Sequence, residues 1–235
     1  MKKVNLMLIM LSVIMITPAT IQAQISMNEE IEQIFIDKVA SIPNKNKDWL
    51  ILADSLKEYY PLDVNNQISL TTIIEVPNKN KEQIFLEAHA WFNRTFVDAK
   101  SAIQMADKES NVIIAKGFFS GIGQRKGFSK NTFVSTYVLL RIDIKDEKVR
   151  LITTMYEYEM LQSTGLGLAL MGGTTPSVEY TIKPWDGYPF SESNPQIKKE
   201  MSIGFASSIA ASLWLGDKLN QILTIGVTGY EDDNW

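Results

Sequence analysis

The chain has one histidine, His89, so every mechanism that needs an imidazole as base, triad member or paired metal ligand converges on it. It stands four residues after Phe85 and three before Phe92. That is helical spacing, which favours a histidine at the edge of a core over a proton shuttle beneath a sheet. Glu157 and Glu159 form the next constellation. On a strand they point the same way, about 6.5–7 Å apart, within the range of paired glycosidase carboxylates, with Tyr156 and Tyr158 expected on the other face. Strands carry solvent-facing acids routinely, so an ordinary strand face is the plainer reading. Gly121-Ile122-Gly123-Gln124-Arg125-Lys126-Gly127 superficially resembles a phosphate loop. Its third glycine comes one place late for a dinucleotide fingerprint, and a strand rather than a helix follows. A flexible hairpin connection is expected there, with Arg125, Lys126 and Lys130 able to touch an anionic ligand or a membrane surface. No catalytic residue, metal site or cofactor is expected, and the chain reads as a non-enzyme.

Apolar chemistry is better represented. Within residues 161–176, Gly165, Gly167, Gly172 and Gly173 are interleaved with Leu166, Leu168, Leu170 and Met171. Loops are usually polar, so an apolar one must be covered or must cover something. It is either a lid or partner-binding tip, or an insertion folded back on its own domain. Trp185, Tyr188, Pro189 and Phe190 could line an aromatic rim for a sugar, peptide or lipid, although aromatics leaving a strand are often core plugs. The candidate binding residues are therefore Leu166, Leu168, Leu170, Met171, Trp185, Tyr188 and Phe190.

The elements that would position these residues follow from periodicity. Residues 27–40 read as a helix carrying Ile31, Ile34, Phe35 and Val39, and Trp49, Leu52, Leu56 and Tyr59 suggest a second, stopped by Pro61. Residues 67–76 alternate as a half-buried strand with Ile68, Leu70, Ile74 and Val76 inward. Asn80 with Gln83 resembles a capping box, opening a helix with Phe85, Ala88, Trp91, Phe92 and Phe96 on one stripe. Strands are expected over 112–119, 132–144 and from Val149 onward, with a polar turn at residues 145–148, and another over 177–182. Asn194-Pro195 supplies a cap and a first-turn proline for a long helix to about Leu223. That helix is apolar on more than one side, with a small-residue row at Gly204, Ser208 and Ser212. The row would let it approach the sheet or another subunit closely. The order gives an α+β domain: an antiparallel sheet with helices packed on one face.

The ends and composition bound the compartment. Lys2 and Lys3, an apolar run over residues 4–16 and a small residue at Ala23 have the order of a secretory signal, with the cut before Gln24. The run is well short of the ~20 residues that span a bilayer, so a cleaved leader is preferred to a permanent anchor. Segments of 1–23 (leader), 24–60 (helical), 61–223 (α+β domain) and 224–235 (acidic, partly mobile tail) are expected. No transmembrane span is expected in the mature chain. Loss of Lys2 and Lys3 takes 23 basic residues to 21 against an unchanged 27 acids, and the net charge from −4 to −6. An acidic domain lacks the basic face of a nucleic-acid binder. The absence of cysteine excludes disulfides and thiolate chemistry.

Several stretches carry a family resemblance: residues 60–63 (Tyr-Pro-Leu-Asp), 74–77 (Ile-Glu-Val-Pro), 90–92 (Ala-Trp-Phe), 101–109 and 114–117 (Ile-Ala-Lys-Gly). Over roughly residues 60–159 the chain resembles the Bacteroidetes domain of unknown function numbered 4468, described as having a TBP-like fold. The resemblance implies a curved antiparallel sheet gripped by helices, and implies no activity, since fold does not carry function. An exported protein, periplasmic or at the cell surface, is expected. Its leading role is a non-enzymatic binding module for an apolar ligand or another envelope protein, with a helix-grip-like shape that permits a cavity between sheet and helix. The alternatives are a structural or assembly component acting by protein contact, and, more remotely, a carboxylate-dependent hydrolase.

Overall fold

In β5 (Lys130–Lys145), Thr132, Val134, Thr136, Val138, Leu140, Ile142 and Ile144 are all buried, the alternation that makes one face of a strand a core face. The computed structural model describes residues 24–25, 49–96, 99–192 and 197–226. The leader, the helix expected over residues 27–40, the Asn194-Pro195 start and most of the tail lie outside the described residues, as do the side chains of Ser101, Gln124 and Arg125.

The sheet is built on three long antiparallel strands, β4 (Val112–Lys126), β5 and β6 (Lys148–Thr164). Shorter strands complete both sides. β2 (Ile68–Glu75) and β7 (Val178–Ile182) share the free edge of β6, β2 along its first half and β7 along its second. β3 (Ile103–Asp107) pairs antiparallel with the start of β4. The two-residue β1 (Gln24–Ile25) lies parallel to Phe118 and Phe119 further along it. The architecture is α+β, an open antiparallel sheet with helices on one face.

Helix α1 (Trp49–Tyr59) buries Ala53 and Leu56 in the same core as the sheet. Helix α2 (Lys81–Thr95) starts at the capping box read from the sequence: Asn80 Oδ1 accepts from the Gln83 N–H at 2.9 Å, and Gln83 Oε1 accepts from the Asn80 N–H at 3.1 Å. Its buried stripe of Phe85, Ala88, Trp91 and Phe92 continues to Phe96, with the Trp91 and Phe92 rings edge to face at 4.8 Å. The polar turn between β5 and β6 docks here too, because Asp146 accepts from the Lys81 N–H and Glu147 from the Asn78 N–H.

After a single turn, α3 (Ala99–Ala102), and a five-residue helix, α4 (Leu166–Leu170), the chain ends in α5 (Lys198–Ile225). This helix lies between the sheet on one side and α1 and α2 on the other, which explains why its sequence is apolar nearly all round. The small-residue row faces the sheet: a β-carbon at Gly204 would meet Val134 Cγ1 at 3.0 Å, and one at Gly216 would meet Thr72 Oγ1 at 3.0 Å. Ser208 donates to the Gly204 carbonyl at 2.8 Å and lies 3.2 Å from the buried Tyr158 hydroxyl.

Two expectations need correction. Residues 121–126 are not a hairpin connection: β4 runs through them with a register shift between Phe119 and Gly123, and the turn is confined to residues 127–129. Gly123 is needed for packing, since a β-carbon there would stand 2.5 Å from Ile203 Cγ2. Tyr156 and Tyr158 do not share a face either. The β5–β6 register shifts between Tyr137 and Val138, which makes Tyr156 an extra residue and reverses the alternation. Before it Leu151, Thr153 and Met155 are buried; after it Tyr158 and Met160 are.

Candidate functional site

Of the residues with catalytic types, the carboxylates are occupied by structural contacts. His89 sits half-buried on α2, and among the described residues no group of three or more His, Asp or Glu could hold a metal ion. Glu157 is paired with Lys183, and Glu159 accepts from the Tyr137 hydroxyl at 3.0 Å, both on the face away from the helices. There Phe118, Tyr137 and Tyr156 form a ladder across three strands, with ring separations of 4.8 and 6.0 Å. Asp63 and Asp107, from the stretches that carry the family resemblance, organise turns. Asp63 accepts from the Asn65 and Gln67 N–H groups and from Ser69 Oγ, and Asp107 from the Glu109 N–H and Ser110 Oγ.

The aromatic group around Trp185 divides. Trp185 remains 40% exposed, whereas Tyr188 turns inward at 6% and Phe190 packs edge to face on Phe205 at 5.1 Å. Tyr188 joins the end of the sheet to α1. Lys198 Nζ lies 4.4 Å from its ring centroid. A hydrogen bond from Tyr188 holds the Asp54 carboxyl below its ordinary value against the opposing effect of burial, with a smaller contribution from Lys57. Tyr188 is therefore part of the core, and Phe190 is half-buried against it.

Leu166, Leu168, Leu170 and Met171 are gathered at one end of the sheet. β6 extends to Thr164, α4 follows, and the chain turns back at Gly172 and Gly173 before β7. The backbone is firmly held. Gly165 N–H donates to the Ser129 carbonyl at 2.8 Å and Leu168 N–H to the Phe128 carbonyl at 2.9 Å. Across the base of the loop, Thr164 Oγ1 accepts from the Thr175 N–H at 2.9 Å. The side chains nonetheless point out: Leu166, Leu170 and Met171 are 70%, 80% and 76% exposed, and Phe128, on the adjoining β4–β5 turn, is 67% exposed. Leu168 alone folds back, over Gly173. Phe128 was not a sequence candidate. Its signal was a lone aromatic between Gly127 and Ser129, legible only once the two turns are known to meet. β7 leads away from this tip toward the middle of β6, so Trp185 is not part of it.

Parts of this chain resemble known proteins. The model of a domain of unknown function (DUF4468) with TBP-like fold matches residues 70–159, inside the stretch where the sequence carries that resemblance. The match stops before the tip loop. No curated protein matches the chain. Among solved structures, a TBP-like protein from Parabacteroides distasonis is 13% identical with a TM-score of 0.44, covering 68% of this chain and 96% of that one. A protein of the same family from Bacteroides ovatus is also 13% identical, with a TM-score of 0.41, covering 74% of this chain and 95% of that one.

Proposed function

We propose that the chain is a non-enzymatic binding module of the cell envelope that works by apolar contact at the tip formed by α4 and the β4–β5 turn. The observation that carries this reading is the combination of a tightly hydrogen-bonded backbone with four large apolar side chains held outward. Ordering an exposed leucine against water gains nothing in the isolated chain, and clustered exposure of this kind marks contact surfaces. A ligand between sheet and helix is less well supported, because α5 approaches the strands closely at Gly204 and Gly216. A hydrolase is also less well supported, since Glu157 and Glu159 are each engaged by a different donor.

The test is site-specific photocrosslinking in the native envelope. A photoreactive residue at Leu170 should give an adduct, with protein or with lipid, that the same residue at Lys108 does not. Lys108 lies in the β3–β4 turn at the opposite end of β4. Unmodified protein at both positions would remove the tip from consideration.

A further inference from the structure

Resting on that reading, we infer that the partner of the tip is an anionic lipid surface, into whose interfacial layer Phe128, Leu166, Leu170 and Met171 insert. Three observations point the same way. The four exposed side chains project from two adjacent turns at a corner of the sheet. Aromatic and aliphatic knobs on a protruding corner suit the boundary between headgroups and acyl chains, where apolar area is the source of affinity.

The backbone is prepared for a medium without water. Within the tip, the N–H groups of Gly165, Leu168, Ala169, Met171, Gly172 and Gly173 all donate to carbonyls of the tip or of the β4–β5 turn. An unsatisfied backbone group costs several kcal/mol in hydrocarbon, so this internal satisfaction is what entry requires.

Charge then selects the surface. In a chain with 27 acids and 23 bases, the two segments that form the tip contain no acid at all. Residues 111–142 hold Lys116, Arg125, Lys126, Lys130 and Arg141, and residues 160–178 hold no charged residue of either sign. Lys126 and Lys130 are exposed at the base of the β4–β5 turn, two residues to either side of Phe128. Such cations at the headgroup level contribute roughly fivefold each in affinity for an anionic surface. The rest of the acidic chain would be repelled by it, so the protein would meet the surface tip first.

The absence of native cysteine allows a direct measurement. Protein purified from its own envelope, carrying Leu170→Cys or Lys108→Cys, is labelled with a polarity-sensitive fluorophore. It is then titrated with vesicles of phosphatidylglycerol and phosphatidylcholine, and with vesicles of phosphatidylcholine only. The expected result is a blue-shifted, brighter signal at position 170 with the anionic vesicles and none at 108. Binding should weaken as salt is raised and fall about tenfold on Leu166→Ser, whose site is exposed enough to leave folding intact. Lys126→Gln with Lys130→Gln should weaken it by a factor of about 25. Equal signals with neutral vesicles overturn the anionic surface. No signal with either vesicle overturns the lipid inference. In that case a protein adduct at Leu170 in the native envelope leaves the binding-module reading standing, and its absence removes both.

Discussion

Gly165 and Phe128 meet backbone to backbone: a β-carbon on Gly165 would stand 2.4 Å from the Phe128 carbonyl oxygen. Two loops far apart in sequence are thereby packed into one corner. Gly165→Ala should therefore separate them, at a cost of about 2 kcal/mol. At Gly167 the obstacle is the exposed Phe128 ring, 2.1 Å from a β-carbon, which can swing aside. Gly167→Ala should cost under about 1 kcal/mol. Urea titrations of both variants check the contrast; equal losses would contradict it.

Gly123 and Ile203 offer a second paired test. Gly123→Ala forces its methyl against Ile203 Cγ2 and should destabilise by about 1–3 kcal/mol. Ile203→Ala makes room, so the double variant should recover part of the loss. A strictly additive double-mutant cycle would show that the two residues do not share that space.

Acid sensitivity has an identifiable source on the outer face. Burial pushes the Asp143 carboxyl up, but hydrogen bonds and charge from Arg141 and Arg150 outweigh it and leave it below its ordinary value. A lowered folded-state value means the stabilisation is fully present above the ordinary carboxylate value, about pH 3.9, and is lost as pH falls through the folded value. Asp143→Asn should cost about 1 kcal/mol at pH 6 and flatten the loss between pH 4 and pH 3. Denaturation curves at the three pH values would expose an unchanged acid slope, which would count against the assignment.

Tyr158 governs the alkaline side. Burial raises its phenol well above the usual tyrosine value, opposed in part by the hydrogen bond with Ser208. A raised folded-state value leaves stability intact below pH 10 and erodes it above, because only the unfolded chain can ionise there. Tyr158→Phe should lose about 1 kcal/mol near neutrality through the broken contact with Ser208. It should narrow that deficit above pH 10. A deficit that stays constant with pH would argue against a buried neutral phenol.

Much of the architecture was legible because local signals and burial agreed. The Asn80 capping box, the stripe ending at Phe96 and the alternation of β5 each reflect one periodicity that the fold leaves undisturbed. Tyr156 was misplaced because one inserted residue reverses a two-residue period, and nothing in the types of Tyr156 or Glu157 announces it. The extension of β4 past Gly121 was missed for a related reason. Its glycines look like loop punctuation, but Gly123 is there to admit Ile203 from α5. At the tip, residues 161–176 stood out by composition, while Phe128 depended on a contact between distant turns.

The arrangement of strand lengths has a further consequence. β4, β5 and β6, at 15, 16 and 17 residues, are the strands best able to recruit another chain through their main-chain groups. β5 lies wholly inside the sheet, β6 is flanked by β2 and β7, and the side of β4 away from β5 is covered only over its first half, by β3 and β1. Among the described residues the sheet terminates in β2, β7, β3 and β1, of eight, five, five and two residues, and in the second half of β4, so no stretch of edge is longer than eight residues. Short terminating strands give a passing molecule little to extend in register, which guards against runaway edge-to-edge polymerisation. A protein that concentrates its sticky surface at one corner can therefore keep its longest flank from becoming a second one.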